Sequence, residues 1–405
     1  MHDPAEPAPG LRPLDGITVV DMTMNIAGPC ATLVLADLGA RVLKIEPPGG
    51  DASREWYPQA SGVATVFSAY NRNKESIVVD ARRPEGCKQL QRLVADADVF
   101  VESMRPGKAD RLGLGWQELR AVNDRLVYCS INAFGSEGPM AGLAGFDAVI
   151  QAYSGLMDLT GYPDGDPARV GGAVVDVGTG AWSALAVLAA LLQREHDGCG
   201  RRVSMTMLGT AVGYLMHHLT STRLGGVEPR RLGTAQHNFA PYQAVQAADR
   251  MVMLGVNSDA MWRRTAAAIG NPALADDARF ASNADRIAHR PELIAAIEAA
   301  TRQLDADTVV ARLLEAQIPA SVVRSIGALA HDPQLDALGL WGTTPSGDPL
   351  PRTPVADPAV EIGAVAAPGE HTRAVLLELG LQDHEVDALV NSSVVDDGAP
   401  AGQLV

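Results

Sequence analysis

The chain has 405 residues, 47% of them hydrophobic, and this is enough apolar material to bury a large core in two or three units. Its formal charge of −15 sets a negative long-range field against nucleic acid and anionic membrane, so an anionic ligand needs a local cationic pocket. Cys30, Cys87, Cys129 and Cys199 are far apart, without CxxC spacing, so neither a disulfide framework nor a zinc site is indicated and a reduced, cytoplasmic setting is expected.

The first thirteen residues, rich in proline and acid, read as a loose arm and not a signal peptide. Ile17–Met22 reads as a strand, 29–39 as a helix that Gly39 can end, and Arg41–Glu46 as the next strand before Pro47-Pro48-Gly49-Gly50. Strand 76–79, helix 84–95, strand 99–101 and strand 126–131 repeat the alternation. A parallel sheet with both faces covered follows from it. Ala181–Leu192 is the most apolar run; a bilayer crossing needs about 20 residues, so a buried helix over 182–194 is predicted, with a strand at 202–207 after it. From about Gly225 the texture changes to a smaller α+β unit with a strand at 251–255 and helices through Ala316. Residues 319–323 are expected to lead back to the first unit, and a helix at 372–379 precedes an acidic tail that looks disordered.

No GxGxxG loop follows the first strand, since Asn25-Ile26-Ala27-Gly28-Pro29 has a single glycine. No GxxxxGK[ST] occurs anywhere, so nicotinamide and P-loop readings lose their support. Ser204 lacks a GxSxG context, and the adjacent His217 and His218 do not share a helix face. Cations do cluster early: Lys44, Arg72, Lys74, Arg82, Arg83, Arg105, Lys108 and Arg111 are candidates for holding phosphates, against the plain alternative of solvated surface residues. In 171–180 one carboxylate, Asp176, stands among four glycines directly before the apolar helix. The glycines leave room for a ligand, yet an acid at a helix start is also a common cap, and spacing does not choose between the two.

An ordered set of landmarks does. They are Leu14-Asp15-Gly16-Ile17, Ala27-Gly28-Pro29, Lys44-Ile45-Glu46, Asn71-Arg72-Asn73-Lys74, Arg105-Pro106-Gly107 and Arg111-Leu112-Gly113-Leu114-Gly115. Further along come Gly138-Pro139, Gly145-Phe146-Asp147, Asp176 to Gly180, Asp276 to Phe280 and Gly369-Glu370-His371-Thr372. Across almost its whole length the chain resembles the family III CoA-transferases, relatives of the α-methylacyl-CoA racemases. The resemblance implies an α/β fold with a Rossmann-like, doubly wound parallel sheet in a large domain (1–208 and 334–405), linkers at 209–228 and 318–333, and a small domain at 229–317. It also implies an interlocked homodimer, with extended crossings near 209–228 and 319–333. Coenzyme A or acyl-CoA and a small carboxylic acid are then substrates, with no permanently bound cofactor, metal, nucleic acid or membrane. Asp176 is implied as the nucleophile, passing through an aspartyl anhydride and an aspartyl-CoA thioester. CoA contacts are implied at Ile26, Ala27, Val79, Arg82, Ser103, Met104, Arg105, Arg111 and 144–147, which includes Gly145, Phe146 and Asp147. Relative to formyl-CoA transferase, Pro47, Ile26 and Ala144 replace an arginine, a glutamine and a lysine, and Ile26 and Phe146 point to an acid less polar than oxalate.

Carboxylates and thiolates exchange acyl groups without proton transfer, so no catalytic histidine is required. Oxyanion donors and exclusion of water are, and Gly178 and Gly180 are candidates to supply or make room for such donors. A racemase needs a second base, and where the related racemases carry histidine this chain has Phe146. A catalytically silent CoA-binding protein is the remaining alternative, and retention of Asp176 counts against it.

Overall fold

The computed structural model describes residues 11–398, which divide into two compact units. The first takes the described residues up to Ser154, Val170–Thr220, and those from Pro333 onward. The second takes Gly155–Arg169 and Ser221–Asp332.

In the first unit β1 (Thr18–Met22), α1 (Ala27–Asp37) and β2 (Arg41–Glu46) form the opening βαβ. Gly39, at φ +108°, adopts a backbone that other residues avoid, and it turns the chain out of α1. Next come β3 (Lys74–Val79), α2 (Pro84–Ala95, with proline in its first turn), β4 (Val99–Glu102) and β5 (Val127–Asn132). They are followed by α3 (Asp147–Ser154), α4 (Val174–Asp197), β6 (Arg201–Thr206) and α5 (Met207–Tyr214). The strands lie side by side as β3-β2-β1-β4-β5-β6, all parallel, which is the doubly wound order. Its direction of winding reverses between β1 and β4.

Successive strand residues serve opposite faces. Val20, Leu43, Ile77, Phe100 and Tyr128 pack with Leu90 and Leu93 of α2, whereas Val19, Val42, Val99, Val101 and Cys129 pack with Ala31 and Leu35 of α1 and Ala184 and Val187 of α4. Two apolar faces explain why these strands read as nearly continuous apolar runs.

Four expectations are corrected. Helix α4 begins eight residues earlier than its apolar run implied, so Asp176 lies inside its first turn and not before it. By length and composition α4 would cross a membrane; here Val175, Thr179, Ser183, Val187 and Leu191 are buried in the sheet's helical layer. The stretch 209–228 is not extended, since α5 and a helix at Met216–Gly225 occupy most of it. The described part of the C-terminal stretch is structured: a helix at Asp383–Asn391 leads to strand Val395–Asp396, antiparallel to β3. The N-terminal arm lies largely outside the described residues, and of it Pro13 and its two predecessors are described.

The second unit holds a three-stranded antiparallel sheet, Tyr242–Gln246, Met251–Gly255 and Ala320–Val322, over a core that includes Trp262, Phe280, Leu293 and Leu313. Residues 320–322 therefore form an edge strand of this sheet and do not yet lead back to the first unit. The alternation Ala320-Ser321-Val322 suits a half-covered edge.

Candidate active site

Parallel sheets present ligands at the carboxyl ends of their strands, near the reversal of winding. Met22, Ile45 and Val79, at or near the ends of β1, β2 and β3, and the loop Ser103–Arg105 after β4 frame a cavity of about 560 Å³ there. Much of its lining is apolar, and Arg82, Arg105 and Lys108 line it as well, Arg82 paired with Asp80 at 2.8 Å. Such a mixture takes an apolar or aromatic group joined to an anion. The loops are tied to one another, since the Met24 N–H donates to Ser103 Oγ at 3.1 Å.

Five sequence candidates meet here: Val79, Arg82, Ser103, Met104 and Arg105. Arg111 is exposed on the short helix Lys108–Arg111 and does not line the cavity. Ile26 and Ala27 sit at the start of α1, outside it, while the preceding Met24 and Asn25 line it. Pro47 lines it as well. Sequence reasoning passed over Met22, Met24 and Pro48, whose signal is their place immediately at or after a strand end.

Three cations proposed for phosphate are withdrawn. Lys44 pairs with Asp51 at 3.0 Å, Arg72 with Asp37 at 2.6 Å and Lys74 with Asp21 at 3.0 Å, and all six side chains are at most 2% exposed. They are internal ion pairs, because a buried cation without an anion would be far too costly.

Asp176 is built from two helices. The Asp147 carboxylate, in the first turn of α3, accepts from the N–H groups of Val175 (2.7 Å) and Asp176 (3.2 Å), satisfying two donors that the start of α4 leaves open. Its other oxygen accepts from Gln151 Nε2 at 2.5 Å, and Gln151 Oε1 in turn accepts from Val170 N–H. Asp147, expected at CoA, thus has its buried side chain committed to holding α4. Gly145 and Phe146 lead into α3, with Phe146 67% exposed. Burial first, and then the charge of Asp147, push the Asp176 carboxyl up to about 7. The positive end of α4 favours the anion by about 1–2 kcal/mol, and burial outweighs it. Sequence reasoning took Asp176 as an ordinary ionised carboxylate; the structure makes it half-protonated near neutrality. The buried Cys30 thiol and the Tyr70 phenol lie close enough to feel its charge.

The glycines after Asp176 act as space and not as donors, because within α4 their N–H groups serve the helix. A Cβ on Gly178 would overlap the Tyr214 hydroxyl, and one on Gly180 would lie 2.8 Å from the Ala27 carbonyl oxygen and 2.6 Å from Cys30 Cβ. Gly180→Ala is therefore expected to force α1 and α4 apart and to cost about 1–3 kcal/mol, read as a lowered urea midpoint. This close approach also links the two parts of the site: Asn25 lines the cavity, and Ala27, two residues on, packs against Gly180, one turn beyond Asp176.

By its fold this is a doubly wound α/β protein with a ligand-sized cleft at the strand ends. The chain belongs to CoA-transferase family III, whose model matches residues 14–372, and it is an enzyme of the CoA-transferase kind. It is 37% identical over 382 residues to the succinate–glutarate CoA-transferase of Agrobacterium fabrum, covering 91% of this chain and 96% of that one. To the acetyl-CoA:oxalate CoA-transferase of Acetobacter aceti it is 35% identical, covering 88% and 94%. A crystal structure of a CAIB/BAIF family protein from Brucella suis superposes with a TM-score of 0.83 at 37% identity, over 91% of this chain and 99% of that one.

Proposed function

We propose that this enzyme moves CoA from an acyl-CoA donor to a free dicarboxylic acid, with Asp176 as the covalent nucleophile. The observation that carries the reading is the seat of Asp176: a carboxyl raised in basicity by burial, held by Asp147, and linked to the cleft through the close approach of Gly180 to Ala27. The ionised Asp176 attacks the donor's thioester carbonyl, and CoA leaves as thiolate with the formation of an aspartyl anhydride. The thiolate then attacks the aspartyl carbonyl, releasing the donor's acid and forming an aspartyl-CoA thioester. The acceptor's carboxylate attacks that thioester to give a new anhydride and thiolate, and a last thiolate attack yields the new acyl-CoA and free Asp176. The anhydrides lie above the thioesters in energy and are consumed by the retained thiolate, and because one thioester is spent and one is formed without hydrolysis, the thioester's energy is conserved overall.

In this reading Arg82, Arg105 and Lys108 face the phosphates, Val79, Ser103 and Met104 the body of CoA, and Ile26, Ala27, Gly145 and Phe146 the reacting end. Arg111 is placed at the outer phosphates. Dicarboxylates are chosen because the relatives are named for succinate, glutarate and oxalate. Racemisation finds no second base: Phe146 carries no proton, and the Asp147 carboxylate is already accepting three hydrogen bonds. The exposed apolar side chains Trp182, Leu185 and Leu192 on α4 support a homodimer, which the family resemblance makes interlocked.

The test is a matrix of acyl-CoA donors (succinyl, glutaryl, acetyl) against free acids, with mass spectrometry of enzyme incubated with donor alone. An acyl or CoA adduct on Asp176 is expected. Exchange without any adduct there, or no exchange with any pair, would sink the reading.

The pH profile supplies a second check. An attacking carboxylate must be ionised, so kcat/KM is expected to fall roughly tenfold per pH unit on the acid side of about 7 and to level off above it. Asp147→Asn removes the negative neighbour, so this acid limb is expected to move to lower pH, while the weakened cap costs about 1 kcal/mol of stability. An unmoved limb would separate Asp176 from the titration.

A further inference from the structure

A second cavity, of about 280 Å³, opens on the other side of the loop that follows β4, over the ends of β4, β5 and β6. Arg105 lines both cavities. The register sets Glu102 beside Ser130, and Tyr128 beside Arg202 on β6, so these side chains share the sheet face that buries Phe100. The core on that face ends at the Phe100 and Tyr128 rings, and a polar chamber continues it toward the strand ends.

Its cations are unpaired. Among the described residues Arg105 and Arg202 stand in no ion pair, although Arg41, Arg54, Arg72 and Arg194 in the same unit are all paired with carboxylates. Neither of the two acids on the chamber wall, Glu102 and Asp110, forms an ion pair with them. Glu102 is buried, accepts from Met104 N–H at 2.7 Å, and is driven by burial toward its neutral form. Asp110 turns its carboxylate against Gly115, at the start of helix Trp116–Val122. Neutral donors complete the wall, since Asn132 Oδ1 accepts from Gly135 N–H and its amide hydrogens remain to be used, with the Ser136 hydroxyl nearby. In a chain of net charge −15, two exposed arginines without an ion-pair partner lining one chamber suit an anion.

We propose that this chamber is a second anion site, taking a small oxyanion of carboxylate or phosphoryl type between Arg105 and Arg202, apart from Asp176. Its volume lies below that of typical ligand pockets and suits a group of a few heavy atoms, not a whole nucleotide. The occupant is either a free anion or a phosphoryl group of a CoA held in the neighbouring cleft. The second source rests on the CoA assignment made above, and the first does not. Because Arg105 serves both cavities, filling the chamber is expected to change CoA affinity.

Calorimetric titration of the full chain with inorganic phosphate, glutarate and CoA tests this, using Arg202→Gln and, as the control on the first cleft, Arg82→Gln. With a free anion as occupant, Arg202→Gln weakens phosphate and glutarate roughly tenfold or more and leaves CoA within about twofold, while Arg82→Gln affects only CoA. With a CoA phosphoryl as occupant, phosphate and glutarate do not respond to Arg202→Gln and CoA weakens by the same factor. Arg202→Lys is expected to restore part of the loss in either case, which a merely misfolded variant would not show. If Arg202→Gln changes none of the three affinities by more than about twofold, the chamber is not an anion site. Donor–acceptor exchange measured on the wild type and on Arg202→Gln keeps the two questions apart, since wild-type exchange failing overturns the transferase reading alone.

Discussion

Asp176→Asn is expected to lose CoA transfer by roughly 10³-fold or more, because an amide cannot form the anhydride on which each later step depends. The same substitution is expected to stabilise the protein. The folded carboxyl, at about 7, lies above its ordinary 3.8, so its ionisation opposes folding at every pH above about 7. That opposition fades as pH falls through 7 and is gone near 4. Asparagine removes it, for a gain of about 2 kcal/mol at pH 8 once partial solvent access is allowed for, and none near pH 4. Rapid-quench transfer assays and urea titrations at the two pH values measure both arms. Transfer retained at the wild-type rate would exclude the covalent route, and an unchanged urea midpoint at pH 8 would show that Asp176 is not strained in its seat.

Asp21→Ala is expected to cause the largest loss of stability, about 3–5 kcal/mol. Asp21 is fully buried on β1 and accepts from Lys74 Nζ at 3.0 Å, from Thr32 Oγ1 at 2.6 Å, and from both the N–H and the hydroxyl of Thr23. Burial pushes its carboxyl up, but Lys74 and Lys44 together with the hydrogen bonds from Thr23 and Thr32 hold it below the usual range. Alanine leaves the Lys74 ammonium buried with only neutral partners, among them the Pro29 carbonyl oxygen at the start of α1. The double variant Asp21→Ala/Lys74→Met removes both charges and is expected to recover a good part of the loss. Urea midpoints of the three variants decide it; a single-variant cost below about 1 kcal/mol would contradict a buried ion pair. Since Lys74 also grips α1, the single variant is expected to disturb the Ala27–Gly180 approach and lower activity along with stability.

The lysines show why some of the site stayed hidden. Asp21 and Lys74 are 53 residues apart, and only pairing of β1 with β2 and β2 with β3 brings them together. From the sequence alone a lysine at a strand end and a lysine on a ligand look alike. The strand Val395–Asp396 was equally illegible, since two residues have no periodicity of their own and exist as a strand only against β3. Helix α4 was read as too short because its first turn, Val174–Gly178, carries a glycine and an acid; Asp147, 28 residues away from the Val175 N–H it caps, makes that turn helical.

By itself the sequence determined the parallel α/β character, through β-branched runs alternating with helical ones and through stops such as Gly39 and Pro47-Pro48, because these depend on neighbours along the chain. It also pointed to the family, and through the resemblance to Asp176 and to the Arg82 and Ser103–Arg105 positions that now line one cleft. Only the tertiary structure decided which cations are spent inside the protein, that Asp147 serves α4, that the Asp176 carboxyl is raised, and that Arg105 and Arg202 line one second chamber. Charge pairing and desolvation are set by distances in space, and a sequence carries no record of those distances.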